Sequence, residues 1–244
     1  MRIEQYAYGN RWRRVSPVAK GLFALGGFVA SFSAVTPGQA MLVALLLLLA
    51  TVFGVGVPLR AYLRVALIPL SFLALGCLSL AYSLDMSADS LSLRWLPVGW
   101  LPLQQLAARA CAALSALLFL TLSTPMVDLI VLLRHLRCPE SLLDLMVLCY
   151  RMLFVFSETL HTTRTAQAAR LGYATPRLAL RSLGGLVASL SVQVWQRAHD
   201  LYVAAQARNN AGTFRFMVPV YQHARRDSGI AALAAVLLVV LVRL

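Results

Sequence analysis

Apolar residues come in long blocks through the first half of this chain and then give way to mixed patterns of helical period. The runs 38–57 and 65–82 match the roughly 20 apolar residues that a helix needs to cross a bilayer. Spans are predicted near 18–35, 38–57, 65–82 and 103–122, with a last one near 228–243. Thr36-Pro37-Gly38 marks a turn between the first two, and Val57-Pro58 ends the second.

The stretch between the fourth and fifth spans behaves differently. Thr124-Pro125 reads as a helix N-cap with proline at the first helical position. Val127, Ile130, Val131 and Leu133 then alternate with Asp128, Arg134 and Arg137, the pattern of an amphipathic helix at a membrane surface. One helix is predicted to open at Pro139-Glu140 and stop at the C-terminal glycine Gly172. The next opens at Thr175-Pro176 and stops at Asn209-Asn210. Each is about 50 Å long at ~1.5 Å per residue. The first is apolar from Leu142 to Phe156 and polar from Ser157. The second places Leu183, Val187, Leu190 and Val194 on one stripe. Such stripes suit two helices packed face to face, with Gly184-Gly185 allowing close approach. The expected organisation is a membrane region of four spans over 1–123, a cytoplasmic region of long helices over 124–227, and a last span over 228–244. That is an all-α integral membrane protein of about five transmembrane helices.

Composition supports the bilayer. The chain is 60% hydrophobic and 13% charged, whereas soluble domains carry about 25% charged residues. Arg11, Arg13, Arg14 and Lys20 before the first span resemble the start of a signal peptide. More spans follow and no clear small-residue cleavage site is present, so the first span is read as retained.

The net charge of +13 raises the question of nucleic acid, but its placement gives another answer. Arg2, Arg11, Arg13, Arg14 and Lys20 lie at the first span, Arg60 and Arg64 follow the second, and Arg134 opens a run to Arg226. The opposite side has Asp85, Asp89, Arg94 and Arg243, with Arg109 near an outer helix end. The positive-inside rule accounts for this and sets the N-terminus in the cytoplasm, with the C-terminus outside after five spans. The expected environment is the lipid bilayer of a bacterial or archaeal cell, with no nucleic-acid partner.

Most chemistry is refused. The sole lysine, Lys20, follows Ala19 rather than the glycine of a P-loop, so the chain is no ATPase of that type. Glu158-x-x-His161 has the spacing of a di-iron motif, but such sites need two motifs and two more glutamates. Glu4 and Glu140 are the remaining glutamates. His135 and Cys138 lack companions, and His199 and His223 read as surface residues. Cys77, Cys111, Cys138 and Cys149 form no Cys-x-x-Cys pair. No Gly-x-Ser-x-Gly elbow supports nucleophilic catalysis. The span centres hold almost no ionisable residue, which weakens a self-sufficient ion-coupled carrier. No catalytic residue, cofactor or metal ligand is expected in this chain.

Two arginines remain. Arg170 follows Ala168-Ala169 and precedes Leu171-Gly172, while Arg208 follows Ala207 and precedes Asn209. Each closes a long helix. One reading is that each complements a helix dipole, worth ~0.3–1 kcal/mol. The other takes the repetition as functional: small alanines admit a partner groove, and each arginine makes a bidentate pair with a partner carboxylate.

On those residues the chain resembles the transmembrane T component of energy-coupling factor (ECF) transporters, whose two cytosolic coupling helices each end in an Ala-Arg-Gly-type motif. Ala169-Arg170-Leu171 and Ala207-Arg208-Asn209 stand in those places, and both depart at the third position, although Gly172 follows one residue later. Glu4-Gln5-Tyr6-Ala7-Tyr8 with Arg11, Pro17 and Lys20 resembles the cobalt-type, CbiQ-like members. The resemblance implies a non-catalytic coupling subunit of a cobalt or nickel importer. Its ATPase-coupling residues would be Ala169, Arg170, Gly172, Ala207, Arg208 and Asn209. Its partners would be two ABC-type ATPases and a membrane subunit that binds the metal substrate. The competing readings are a self-sufficient carrier or channel and a membrane-embedded enzyme.

Overall fold

The computed structural model describes residues 6–87, 90–95, 100–209, 221 and 224–243. Glu4, Gln5, Asp89, Asn210 and His223 lie outside the described residues. Eight long helices carry the described fold: α1 (Pro17–Ser33), α2 (Pro37–Leu49), α3 (Leu59–Ala81), α4 (Trp100–Ser123), α5 (Met126–His135), α6 (Glu140–Ala169), α7 (Pro176–Ala207) and α8 (Ala224–Arg243). The architecture is that of an all-α membrane protein. Pro37–Val55, Leu59–Ser79, Leu103–Ser123 and Pro176–Ala207 are long and apolar enough to cross a bilayer. The first three match expected spans. The first and fifth expected spans correspond to α1, of 17 residues, and to α8, whose first turn holds Asp227.

Proline-led caps start three of these helices. The Ser16 hydroxyl accepts from the Ala19 amide, and Thr175 does the same for Leu178. Thr36 and Gln39 form a reciprocal capping box at α2. α2 continues into a π-helical segment, Ala50–Val55, and stops at Gly56, whose φ of 84° is left-handed.

Between α3 and α4 lies a short hairpin, β1 (Tyr82–Ser87) and β2 (Ser90–Trp95), that the sequence analysis does not predict. Its antiparallel register pairs Tyr82 with Trp95, Leu84 with Leu93 and Met86 with Leu91. Apolar positions thus meet apolar ones at every second step, the two-residue period of a strand.

The chain forms two compact units, Met1–Leu132 with Val218–Leu244, and Leu133–Met217. In the first, small residues let helices approach closely. Ala30, Ala40, Val43, Leu47, Ala112, Ala116 and Val242 bring α1, α2, α4 and α8 into one core. A Cβ on Gly26 would lie 2.9 Å from the Ala235 backbone, so α1 and α8 touch where no side chain fits. A second core gathers Val55, Tyr62, Ala66 and Leu122 about Phe119, with the Trp12 and Phe23 rings edge-on to it at 5.9 and 5.0 Å. α3 contributes least, and Phe72 on its outer side is 79% exposed. Lipid or a membrane partner solvates such a face at no hydrophobic cost.

Two cations pin α1 to α4. Lys20, at the start of α1 and 1% exposed, donates to the Ser123 carbonyl at the end of α4 at 3.1 Å. Asn10 donates to the same oxygen at 2.7 Å. Within α4, Arg109 donates through Nε and Nη2 to the Ala34 carbonyl, just past the end of α1, at 3.1 and 2.7 Å. The helices therefore run antiparallel, and each supplies the positive charge that the other's C-terminal dipole attracts. The sequence alone assigns neither Lys20 nor Arg109 this helix-pinning role.

α5 departs from expectation at its start. Thr124 does not cap it. Its hydroxyl lies 3.2 Å from that of Ser123, and the Pro125 carbonyl takes the first helical bonds from Asp128 and Leu129. Asp128, expected on a wet face, is 6% exposed and accepts from the Tyr221 hydroxyl at 3.0 Å. It also interacts electrostatically with Lys20. Burial and the neighbouring Asp128 carboxylate push the Tyr221 phenol well above its ordinary value, so it remains a donor.

Candidate functional site

The candidate site is built at the ends of α6 and α7. α6 ends at Ala169 with Arg170 as its C-cap. The Leu171 amide bonds the Ala168 carbonyl at 3.0 Å, and the Gly172 amide reaches back to the Gln167 carbonyl at 2.9 Å. This pair of bonds is a Schellman motif, which needs a left-handed residue just past the cap. That residue is Leu171, with φ 55°. Gly172, expected to be the left-handed stop, occupies the next position.

Gly172 is small for another reason. A Cβ there would meet the Ser182 Oγ at 2.7 Å and the Gln167 carbonyl oxygen at 2.9 Å. Ser182 donates its hydroxyl to the Gly172 carbonyl at 2.8 Å, and Gln167 Nε2 donates to the Ser182 carbonyl at 3.1 Å. The Tyr173 hydroxyl completes the group by donating to Gln167 Oε1 at 2.8 Å. The end of α6 is thereby clipped to the first turns of α7. Sequence reasoning gives no role to Gln167, Tyr173 or Ser182. Only the tertiary approach assigns them one.

α7 ends the same way. Arg208 is its C-cap, the Asn209 amide bonds the Gln206 carbonyl at 2.9 Å, and Asn209 has φ 48°. The third position of each motif is thus the left-handed one, filled here by Leu171 and Asn209 where glycine is cheapest. Ala169, Arg170, Ala207, Arg208 and Asn209 are exposed, and Gly172 is half-buried. The structure brings Ala169, Arg170 and Gly172 together at one helix end and Ala207, Arg208 and Asn209 at the other.

Other expectations on these helices change. Gly184 and Gly185 face open space, with nothing within 4 Å of an added Cβ. Leu183, Val187 and Val194 are exposed, and Leu186 is the buried leucine of α7. The covered positions include Ala179, Ser182, Leu186, Ser189 and Leu190, so of the expected stripe only Leu190 is covered. A cleft lined by Val155, Phe156 and Thr159 of α6 and Gln193, Gln196, Arg197 and Asp200 of α7 lies between them. Glu158 and His161 are exposed on α6, where His161 Nδ1 lies 3.4 Å from the Thr165 hydroxyl. Among the described residues no three His, Cys, Asp or Glu side chains converge.

Comparison with known proteins places the chain. Residues 9–217 match the family model described as CbiQ, cobalt transport protein. A cobalt transport protein CbiQ of Rhodobacter capsulatus is 38% identical over 88% of this chain and 86% of its own length. The CbiQ of Salmonella typhimurium is 26% identical over 87% of this chain and 98% of its own. A putative fused cobalt transport protein CbiMQ of Methanocorpusculum labreanum is 26% identical over 84% of this chain and 36% of its own. The family match takes in α1 to α7 with both arginine-tipped ends and stops before α8, and the chain is a multi-pass membrane protein of the CbiQ family of cobalt transport proteins.

Proposed function

We propose that this chain is the non-catalytic transmembrane coupling subunit of an ATP-driven ECF importer with cobalt or nickel as substrate. The observation that carries the reading is the placement of the two arginines. Arg170 is clipped beside the start of α7 through Gly172 and Ser182, and Arg208 follows its last residue. The 32 residues of α7 at ~1.5 Å each separate the two ends by about 48 Å. A small domain is only about 30 Å across. Two grooves on two ATPase subunits fit that separation better than one.

In this reading Ala169, Ala207 and the half-buried Gly172 keep the helix ends slim. Arg170 and Arg208 each pair with a carboxylate in an ATPase groove, and Asn209 completes the second end. ATP-driven movement of the grooves drives α6 and α7, and through them the membrane unit and a substrate-binding membrane subunit. The metal is bound by that partner. The relative whose name describes a CbiMQ fusion supports such a partner. The N-terminus and residues 124–227 lie in the cytoplasm of a bacterial or archaeal cell, and the C-terminus outside.

The test is capture of ATPase subunits from membranes by wild type, by the Arg170/Arg208 double alanine variant and by the double lysine variant. Lysine keeps the charge that a helix dipole needs but lacks the planar fork. Wild type alone should recover the ATPases. Equal recovery by all three would reduce the arginines to dipole partners. The length of α7 and its apolar character leave a second reading, a self-sufficient carrier. Uptake of labelled cobalt by this chain alone in liposomes would establish that reading.

A further inference from the structure

We propose that the open cavity where α2 meets α3 seats the phosphate of an anionic phospholipid, with Arg11 as its binding residue. The cavity has a volume of about 430 Å³, and its lining includes Gly9, Arg11, Val52, Phe53, Gly56 and Pro58. Its depth in the membrane follows from the helices on either side. Pro37–Val55 and Leu59–Ser79 are each long and apolar enough to cross a bilayer. The short turn between them therefore lies at a membrane surface, among the lipid headgroups. Phe53 is 73% exposed and Leu59 47%, which gives acyl chains an apolar flank beside that turn.

The cavity holds a positive charge that the described residues leave uncompensated. Arg13 nearby is occupied: it donates through Nη1 to the Tyr8 carbonyl at 3.3 Å, and its guanidinium lies 5.3 Å over the Tyr8 ring. Arg11 differs. Its stem crosses Gly56, where an added Cβ would meet Cγ and Cδ at 3.6 Å, and its guanidinium has no hydrogen-bond or ion-pair partner among the described residues. The left-handed Gly56 turns the chain out of the π-helical segment and leaves room for that stem. α3 adds to the field. Its first bonds run from the Ala61 and Tyr62 amides to the Pro58 carbonyl at 2.8 and 3.2 Å, so the positive end of its dipole opens at the edge of the cavity. Arg60, exposed in the first turn of α3, adds a second cation. A guanidinium fork grips two phosphate oxygens at once, whereas a zwitterionic headgroup brings its own cation to that phosphate. The apolar flank favours a lipid over free phosphate.

The experiment counts lipids bound to the purified full chain by native mass spectrometry. It is run at about 0.5 M salt, where the general attraction of a basic surface for anionic lipid is screened within a few ångströms. Phosphatidylglycerol is the probe, with phosphatidylcholine and glycerol phosphate as comparisons. Arg11→Gln should weaken phosphatidylglycerol binding about tenfold, the scale of one hydrogen bond to a charged group. Arg13→Gln removes the same charge outside the cavity and should stay within about twofold of wild type. Val52→Trp fills the cavity, keeps every arginine, and should lose the lipid as Arg11→Gln does. Equal losses in Arg11→Gln and Arg13→Gln would reduce the effect to surface charge and overturn the site, as would unchanged binding in Arg11→Gln. Equal binding of phosphatidylcholine, or displacement of the lipid by an equal concentration of glycerol phosphate, would also overturn it. If Val52→Trp fails to fold, the two exposed arginines decide. If Arg11→Gln binds lipid normally but no longer recovers a partner protein from membranes, the cavity is a protein interface and the lipid site is refuted.

Discussion

Gly172→Ala and Leu171→Gly are neighbouring substitutions that should act in opposite directions. The new Cβ of Gly172→Ala would sit 2.7 Å from Ser182 Oγ and 2.9 Å from the Gln167 carbonyl. Ser182 can rotate away only by giving up its 2.8 Å bond to the Gly172 carbonyl. The Gln167 carbonyl is helix backbone and cannot rotate, so the turn itself must shift. Overpacking of this kind costs roughly 1–3 kcal/mol, with a lost neutral hydrogen bond inside that range. Leu171 has φ 55° and is 72% exposed, so it bears a left-handed backbone with little packing in return. Glycine relieves about 1–2 kcal/mol of that strain and gives back roughly 0.5–1 kcal/mol in chain entropy. The net gain is about 0.5–1 kcal/mol. Hydrogen exchange of the purified protein over residues 167–182 reads both changes. Gly172→Ala should open this segment roughly 5- to 150-fold more readily, and Leu171→Gly should protect it about threefold more. Wild-type protection in Gly172→Ala, or faster exchange in Leu171→Gly, would refute the clip as described. Gly172→Ala should also weaken ATPase capture at the Arg170 end while sparing the Arg208 end.

Gly26→Leu should separate α1 from α8, because even a Cβ at Gly26 meets the Ala235 backbone at 2.9 Å. A loss of at least about 1–3 kcal/mol should appear as a lower Tm in detergent, and an unchanged Tm would contradict that contact. Lys20→Met and Arg109→Leu each remove a charged donor from a helix end and should cost about 1.5–3 kcal/mol apiece; nearly additive losses are expected, because the two pins sit at opposite ends of α1. The Tyr221 phenol has a folded-state pKa raised above its ordinary 10.0, so its contribution is complete below that pH and is lost as pH rises above it. Alkaline titration of Tm should therefore be flatter in Tyr221→Phe than in wild type, and parallel curves would remove the Asp128 contact from the account.

What could be read from the sequence was local. Thr175-Pro176 and Thr36-Pro37 announce helix starts because cap and proline act within a single turn. The arginine ends were legible for the same reason, down to Asn209 in the left-handed position. The rest was settled by groups far along the chain. Gly172 had to be glycine because Ser182 approaches it, so the left-handed position fell to Leu171. Asp128 went inside because Tyr221 arrives to pair with it. Gly184-Gly185 suggested close packing, yet the covered stripe of α7 runs along Ala179, Ser182 and Leu186, and both glycines face outward. The apolar alternation in 82–87 and 90–95 carries a strand period, although charge placement alone does not announce it.

The mutual pinning of α1 and α4 has a consequence for how the protein is made. During synthesis α1 emerges before α4, carrying Lys20 with its intended acceptor, the Ser123 carbonyl, not yet translated. Until that acceptor arrives, an ammonium at the end of a span stays hydrated by snorkelling to the membrane surface. Arg109, on a later helix, meets its acceptor Ala34 already in place. Arrival of α4 thus satisfies both cations at once. A nascent chain halted before Ser123 has no final seat for α1, so the membrane unit is expected to lock only when its fourth long helix is complete.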